Sequence, residues 1–164
     1  MHILQLSLFS ATFLTGLIAG LFYSYSCSVN LGLGKLRDIE YLKAMKSINK
    51  AILNPWFFLS FIGSLVAIPL ATTLYYYNTG VDTSFYLLLS ASLTYVVGVF
   101  CVTIRGNVPL NEELDSFNIE QAAIQEIKIK KKNFEKPWNR FHFVRSISNV
   151  AAFLLLLVAI IIKS

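Results

Sequence analysis

The chain has 164 residues, of which 55% are hydrophobic and only 14% charged, and its mean hydropathy is +0.61. This composition is too apolar for a soluble domain of this length and is typical of a protein that crosses a membrane several times. The net charge of +5 is confined to particular segments. We therefore expect it to reflect orientation in a membrane, and nothing in it indicates nucleic acid as a partner.

Four long stretches without charge predict four transmembrane helices. No charged side chain precedes Lys35, and further uncharged stretches cover residues 51–81, 83–104 and 146–162. Each is long enough for a helix of about 20 residues, which crosses a hydrocarbon core of about 30 Å. The predicted spans are residues 4–26, 55–76, 83–105 and 141–162.

The positions of the cations predict the topology. Lys and Arg concentrate in and around the connecting segments 27–54 and 106–140, whereas the turn "YYYNTGVDTS" has neither and only Lys163 follows the last span. The positive-inside rule places both basic segments in the cytoplasm and both termini outside. We expect a single membrane domain in a plasma membrane, most simply a bacterial inner membrane.

Each basic segment is predicted to contain an amphipathic helix. From about Asp38, apolar residues such as Tyr41 recur on one face with lysines opposite, which is typical of a helix on a membrane surface. Gly106 and Pro109 predict the end of the third span, so that Asn111 would cap a second surface helix. The predicted fold is all-α: an integral membrane four-helix transmembrane bundle with two cytoplasmic amphipathic helices.

The last span carries the most unusual residues. Its uncharged part, 146–162, covers about 26 Å at 1.5 Å per residue, less than a core of about 30 Å, so Arg145 is drawn into the membrane edge. Trp138, His142, Arg145 and Asn149 follow one another at spacings of 4, 3 and 4 residues and share one helix face. Ionisable residues inside a membrane segment indicate a functional site. We therefore predict a polar site facing the bundle interior at the cytoplasmic end.

Each of these residues also has a purely structural interpretation. Trp138 suits a membrane interface, Asn111 suits a helix cap, and Arg105 suits the negative C-terminus of its helix. Arg140 is predicted to be one of the cations that determine topology. Only the joint occurrence of these residues favours a site.

No metal or other cofactor is expected. The chain has two histidines, and His2 lies at the end of the bundle opposite to His142. The carboxylates after the third span lack the Glu-x-x-His spacing of di-iron bundles. No glycine motif for binding phosphates or dinucleotides appears.

Four ordered motifs carry a family resemblance: "GLFYSYSCSVN", "YLKAMKSINKAILNP", "GNVPLNEELD" and "WNRFHFVRS". Together they resemble the anthrone oxygenase-like family of small four-helix membrane proteins, over about residues 10–160. Fungal members oxidise an anthrone to an anthraquinone with dioxygen, without metal or flavin. The resemblance thus implies a cofactor-independent oxygenase, with Asn107, Asn111, His142 and Arg145 at the matching polar positions.

The chemistry of such a reaction suggests roles for these residues. The substrate would be a flat, apolar molecule that is acidic at one carbon and partitions from the membrane into the bundle. His142 is predicted to take that proton, and Arg145, Arg105 or the asparagine amides to stabilise the resulting oxyanion. The further predicted substrate contacts are Tyr23 or Tyr25, Trp138 and Asn149.

Two other functions remain open at this point. A binding or transport module would hold a lipid headgroup or an anionic metabolite through Arg105, Arg140 and Arg145. An assembly scaffold would use the GLIAG motif at 16–20, a GxxxG pattern that lets helices approach closely and is compatible with a homo-oligomer. The expected partners are therefore membrane lipids and a lipophilic or anionic small molecule.

Overall fold

The computed structural model describes residues 2–162, with side chains from Ile3 onward, so Lys163 lies outside the described residues. The described part of the chain forms five helices and contains no strand. Four of these helices are long and apolar enough to cross a membrane. The predicted all-α membrane bundle is confirmed.

The helices are bounded as follows. α1 runs through His2–Ser24, the π-helical Tyr25–Val29 and Asn30–Leu33; α2 is Asp38–Ala51; α3 is Pro55–Thr79; α4 is Thr83–Ser116, with π-helical turns at Thr94–Cys101 and Thr103–Asn107; and α5 is Ile124–Ile161.

Side-chain caps define where α3 and α4 begin. Asn54 Oδ1 accepts the backbone N–H groups of Trp56 and Phe57 at 3.1 Å each, as its position before Pro55 predicts. Asp82 caps α4 by accepting the N–H of Phe85 at 2.9 Å. Of the two caps, Asp82 lies in the short turn between α3 and α4, and these two helices pack side by side.

The third long helix does not end at Gly106, so the predicted helix end is wrong. α4 continues through Pro109 to Ser116, because the π-helical turn Thr103–Asn107 lies just before the proline. Hydrogen bonds in a π turn reach back five residues instead of four, and this change of register accommodates a residue without an N–H. The predicted second surface helix is the last part of α4, and Asn111 lies inside it.

Buried apolar side chains form two clusters. One lies within the spans, where α1 and α4 each pack along both α3 and α5. The other lies at what we call the basic end, formed by α2, the last turns of α1 and α4, and the first half of α5. The basic end is therefore a packed region of the protein that joins α2 to three of the four long helices, α1, α4 and α5.

α2 packs on protein instead of lying on a lipid surface. Tyr41, Leu42 and Met45 are at most 2% exposed and belong to the cluster at the basic end. On the opposite side, Lys43 Nζ lies 2.7 Å from Glu120 Oε1, a carboxylate of the α4–α5 connection. The apolar face predicted for this helix is real, but it covers α5.

α5 is much longer than the last predicted span. Its 38 residues reach about 57 Å, against a hydrocarbon core of about 30 Å. Its first half therefore extends beyond the membrane segment and supports α2. The side chains from Trp138 to Asn149 lie where this supporting half joins the span.

Gly106 lets α4 and α5 approach each other closely. A Cβ atom added there would lie 2.5–2.8 Å from three ring carbons of Phe141, too near for any ordinary contact. We expect Gly106→Ala to lower the free energy of unfolding by about 1–3 kcal/mol, as overpacking does. Thermal unfolding in detergent measures this.

Two companion variants test whether the contact with Phe141 causes the loss of stability. Adding Phe141→Ala to Gly106→Ala removes the obstructing ring and should recover most of the loss. Gly20→Ala, where an added Cβ meets nothing within 4 Å, should leave the unfolding midpoint unchanged. Equal midpoints for Gly106→Ala and Gly20→Ala would contradict the role of Gly106.

Tyr41 makes stability depend on pH at the basic end. Its hydroxyl is buried without a hydrogen-bond partner among the described residues. Burial, helped by Glu135 and Tyr25, raises the pKa of Tyr41 above its usual value. The unfolded chain then releases this proton more easily, so stability falls as pH rises above about 10.

Tyr41→Phe removes both the unpaired hydroxyl and the ionisation. We expect it to leave the free energy of unfolding at neutral pH unchanged or raised by up to about 1 kcal/mol. We also expect the free energy of unfolding to decline less steeply with pH above about pH 10 than in the wild type. Unfolding curves of the two proteins over this pH range give the difference, and a large loss at neutral pH would show that the hydroxyl has a partner.

The orientation of the bundle is a prediction of the positive-inside rule. Asn133 is exposed at the basic end and Asn78 is exposed near the α3–α4 turn. In a Cys27→Ser/Cys101→Ser background, we expect a membrane-impermeant maleimide to label Asn133→Cys only in inside-out vesicles and Asn78→Cys only in intact cells. The reverse pattern would place the basic end outside.

Candidate functional site

The four residues predicted on one face of the last span all face the interior. Trp138, His142, Arg145 and Asn149 are 3%, 2%, 8% and 0% exposed. Arg140 is exposed on the same helix. Arg145 therefore does not extend towards a membrane surface as an isolated cation would.

The two ring nitrogens of His142 have different partners. Arg145 Nε donates to His142 Nδ1 at 3.2 Å, and because a guanidinium only donates, Nδ1 carries no proton. The proton of the neutral ring is then on Nε2, 3.0 Å from Ser26 Oγ. Ser26 Oγ donates its own hydrogen to the carbonyl of Phe22 at 2.9 Å and so accepts from Nε2. The hydrogen-bond network thus directs the basic lone pair of His142 towards Arg145.

The guanidinium of Arg145 is buried without a carboxylate. None of the ion pairs among the described residues includes it. Besides His142, it lies over the ring of Phe22 at 4.4 Å and over that of Trp138 at 5.3 Å. Cation–π contacts contribute up to about 2 kcal/mol each, whereas burying an ion costs several kcal/mol. A negative charge beside Arg145 would therefore be strongly stabilised.

Aromatic rings enclose His142. The indole of Trp138 stacks on the imidazole, with centroids 5.1 Å apart and planes at 16°. Tyr25 and Phe22 meet the imidazole edge-on, at 5.1 and 5.7 Å. Flat, apolar walls therefore surround the imidazole beside one cation.

Two of the predicted asparagines position Trp138. Asn107 Nδ2 donates to the carbonyl of Trp138 at 3.2 Å. Asn111 Oδ1 accepts from Trp138 Nε1 at 2.8 Å and from Asn49 Nδ2 at 3.0 Å. α2 and α4 thereby hold the ring that stacks on His142.

Two buried amides have unsatisfied atoms. Asn149 is fully buried, and neither its Oδ1 nor its Nδ2 has a hydrogen-bond partner among the described residues. Asn107 Oδ1 is also buried without a hydrogen-bond partner among the described residues. Buried polar groups are nearly always paired, and each unpaired one costs about 1–3 kcal/mol. A polar ligand or bound water next to these amides would remove that cost.

The structure does not bring every predicted site residue close to His142. Tyr23 and Arg105 are both exposed. Of the alternatives Tyr23 and Tyr25, the one that meets His142 is Tyr25. The three arginines considered for an anion-binding module are also apart, since Arg105 and Arg140 are exposed and Arg145 is buried.

Sequence analysis missed two of the partners that α1 contributes, Phe22 and Ser26. Phe22 and Ser26 lie four residues apart and thus on one face of α1, with Tyr25 between them. That spacing was a usable signal, but the π-helical turn Tyr25–Val29 that orients Ser26 leaves no recognisable pattern. Within the described residues, no three His, Cys, Asp or Glu side chains lie close enough together to hold a metal ion.

A comparison with family models matches residues 56–155 to the anthrone oxygenase family. The matched region begins near the start of α3 and includes the buried face of α5 and both asparagines that hold Trp138. No curated protein and no solved structure matches the chain. Because the family model covers more than half of the sequence, from the third helix almost to the end of the last, the protein belongs to the anthrone oxygenase family.

Proposed function

We propose that this protein is a cofactor-independent oxygenase that acts on a lipophilic aromatic substrate, anthrone- or quinol-like, at the basic end. The observation that carries the proposal is the pair formed by His142 and Arg145. A neutral imidazole with an unprotonated Nδ1 lies 3.2 Å from a buried guanidinium that has no carboxylate partner. A base and a site for a developing anion are thus adjacent.

Substrate binding relies on the aromatic walls. An anthrone is flat and apolar, so it partitions into the membrane and stacks on ring faces. Trp138 and Tyr25, with centroids 5.4 Å apart, offer such faces next to His142. A ring bound there would place its acidic carbon near Nδ1 and its carbonyl oxygen near Arg145.

The first chemical step is proton transfer from the substrate carbon to His142 Nδ1. The guanidinium that occupied this lone pair turns to the enolate oxygen, because that oxygen is now the negative group. Since the site is buried, this interaction is stronger than in water. Arg145 thereby stabilises the anion that forms, more than the neutral substrate.

Dioxygen then reacts with the enolate. The electron-rich carbon forms a bond to one oxygen atom, and the peroxide anion takes the proton from the His142 imidazolium. Loss of the second proton from that carbon breaks the O–O bond and releases water. A CH₂ group and O₂ thus become a C=O group and H₂O, with dioxygen as the only oxidant.

Oxygen uptake with anthrone, measured on purified protein in nanodiscs, tests the proposal. We expect His142→Gln to lower kcat about 10²–10⁴-fold, as loss of a general base does. Arg145→Gln should lower it about 10²–10³-fold by removing the oxyanion partner. Arg140→Gln, five residues away on the exposed side of α5, should change kcat less than about twofold.

Anthrones also oxidise slowly without protein, so empty nanodiscs supply the background. Uptake by wild-type protein no greater than this background, for anthrone and for quinols, would reject the oxygenase. Equal losses in Arg145→Gln and Arg140→Gln would reject the assignment of the oxyanion site.

A further inference from the structure

A groove of about 360 Å³ opens at the basic end between α2 and the last turns of α4. Sites for small molecules measure about 300–1,000 Å³, so the groove is large enough for one. Asn111 lines the groove and also accepts a hydrogen bond from Trp138, the ring that stacks on His142. The lining residues used below are Lys46, Asn49 and Lys50 of α2, Leu53 of the α2–α3 connection, and Val108 and Asn111 of α4.

The groove carries no net charge. Lys50 Nζ lies 3.0 Å from Asp115 Oδ1, and Lys46 Nζ lies 3.9 Å from the same oxygen. Glu112, also in the lining, supplies a second carboxylate. Two cations and two carboxylates favour a neutral ligand over an anionic one.

The polarity of the lining changes along the groove. α2 and the end of α4 run antiparallel, since Lys46 and Lys50 reach Asp115. Asn49 reaches Asn111, so Leu53 and Val108 lie beyond this pair and form an apolar part of the lining. Leu53 lies two residues before the start of α3, where the membrane segment begins. A lipophilic molecule can therefore enter the groove from the membrane side.

Two amides offer hydrogen bonds to a ligand in the groove. Asn111 Oδ1 already accepts from both Asn49 and Trp138. This leaves Asn111 Nδ2 as a donor and Asn49 Oδ1 as an acceptor, and neither has a partner among the hydrogen bonds of the described residues. A carbonyl or hydroxyl group on the ligand would pair with them.

Trp138 separates the groove from His142. Its Nε1 is bonded to Asn111, which lines the groove, and its ring face stacks on His142. A ligand that pairs with Asn111 Nδ2 draws the amide into the groove and moves its Oδ1 away from Trp138 Nε1, which frees the indole to turn. The turned indole then opens a path from the groove to His142 and still offers a ring face there.

We propose that this groove is the docking site through which a neutral planar aromatic ketone or phenol reaches His142, and that Asn111 selects it. The inference rests on the proposed function, since it supplies the entry route of that substrate. It concerns ligand binding alone, so it can be tested without measuring any reaction.

Trp138 fluorescence tests the claim. The chain has two tryptophans, so Trp56→Phe leaves Trp138 as the sole reporter. We would titrate 1-hydroxyanthraquinone, a neutral planar probe, and anthraquinone-2-sulfonate, which has the same rings and a charge, into nanodiscs with and without protein. We expect the neutral probe to quench Trp138 with a Kd at least about tenfold lower than the sulfonate.

Matched variants locate the site. Val108→Phe fills the groove and should raise the Kd of the neutral probe about tenfold or more. Val97→Phe, on the exposed side of α4, should change it less than about twofold. Leu53→Ser, at a residue 64% exposed and thus safe for folding, should weaken binding, whereas Leu31→Ser at 63% exposure should not.

The outcomes separate this inference from the oxygenase proposal. Equal affinities in Val108→Phe, Leu53→Ser and their controls, or tighter binding of the sulfonate, would overturn the docking site whatever the oxygen uptake. The expected binding pattern without oxygen uptake would support the groove and reject the oxygenase.

Discussion

The buried contact between Arg145 and His142 governs the arrangement around it. A guanidinium inside a membrane bundle, donating at 3.2 Å to an imidazole and without a carboxylate, is costly unless its surroundings compensate. Phe22 and Trp138 supply ring faces, and the asparagines of α4 hold Trp138 in place. The region thus holds a buried positive charge that has no carboxylate partner among the described residues.

Irregular helical turns bring these side chains together. The π-helical segment Tyr25–Val29 directs Ser26 at His142, and Thr103–Asn107 directs Asn107 at Trp138 while α4 continues past a proline. Gly106, inside the second segment, allows α5 to lie close by. π turns inside helices are frequent at functional sites because they change which face a residue occupies without ending the helix.

Charge and hydropathy patterns were enough to predict the all-α membrane fold and the buried face of α5, because both depend on regular spacing along one helix. They did not predict that α4 passes through Pro109, since the compensating π turn depends on packing against α5. Nor did they identify Ser26 or Asn49, because those contacts join helices far apart in sequence. Arg105 and Tyr23 were named by residue type and proximity in sequence, and only the fold shows that both point outward.

The hydrogen bond from His142 Nε2 to Ser26 fixes the orientation of the imidazole. With Nε2 anchored on Ser26 and Nδ1 facing Arg145, the ring cannot rotate without breaking both hydrogen bonds. In the proposed reaction, the proton taken up at Nδ1 would therefore be returned from the same nitrogen, with no change in ring orientation. α1, which lies outside the region matched by the family model, supplies this anchor.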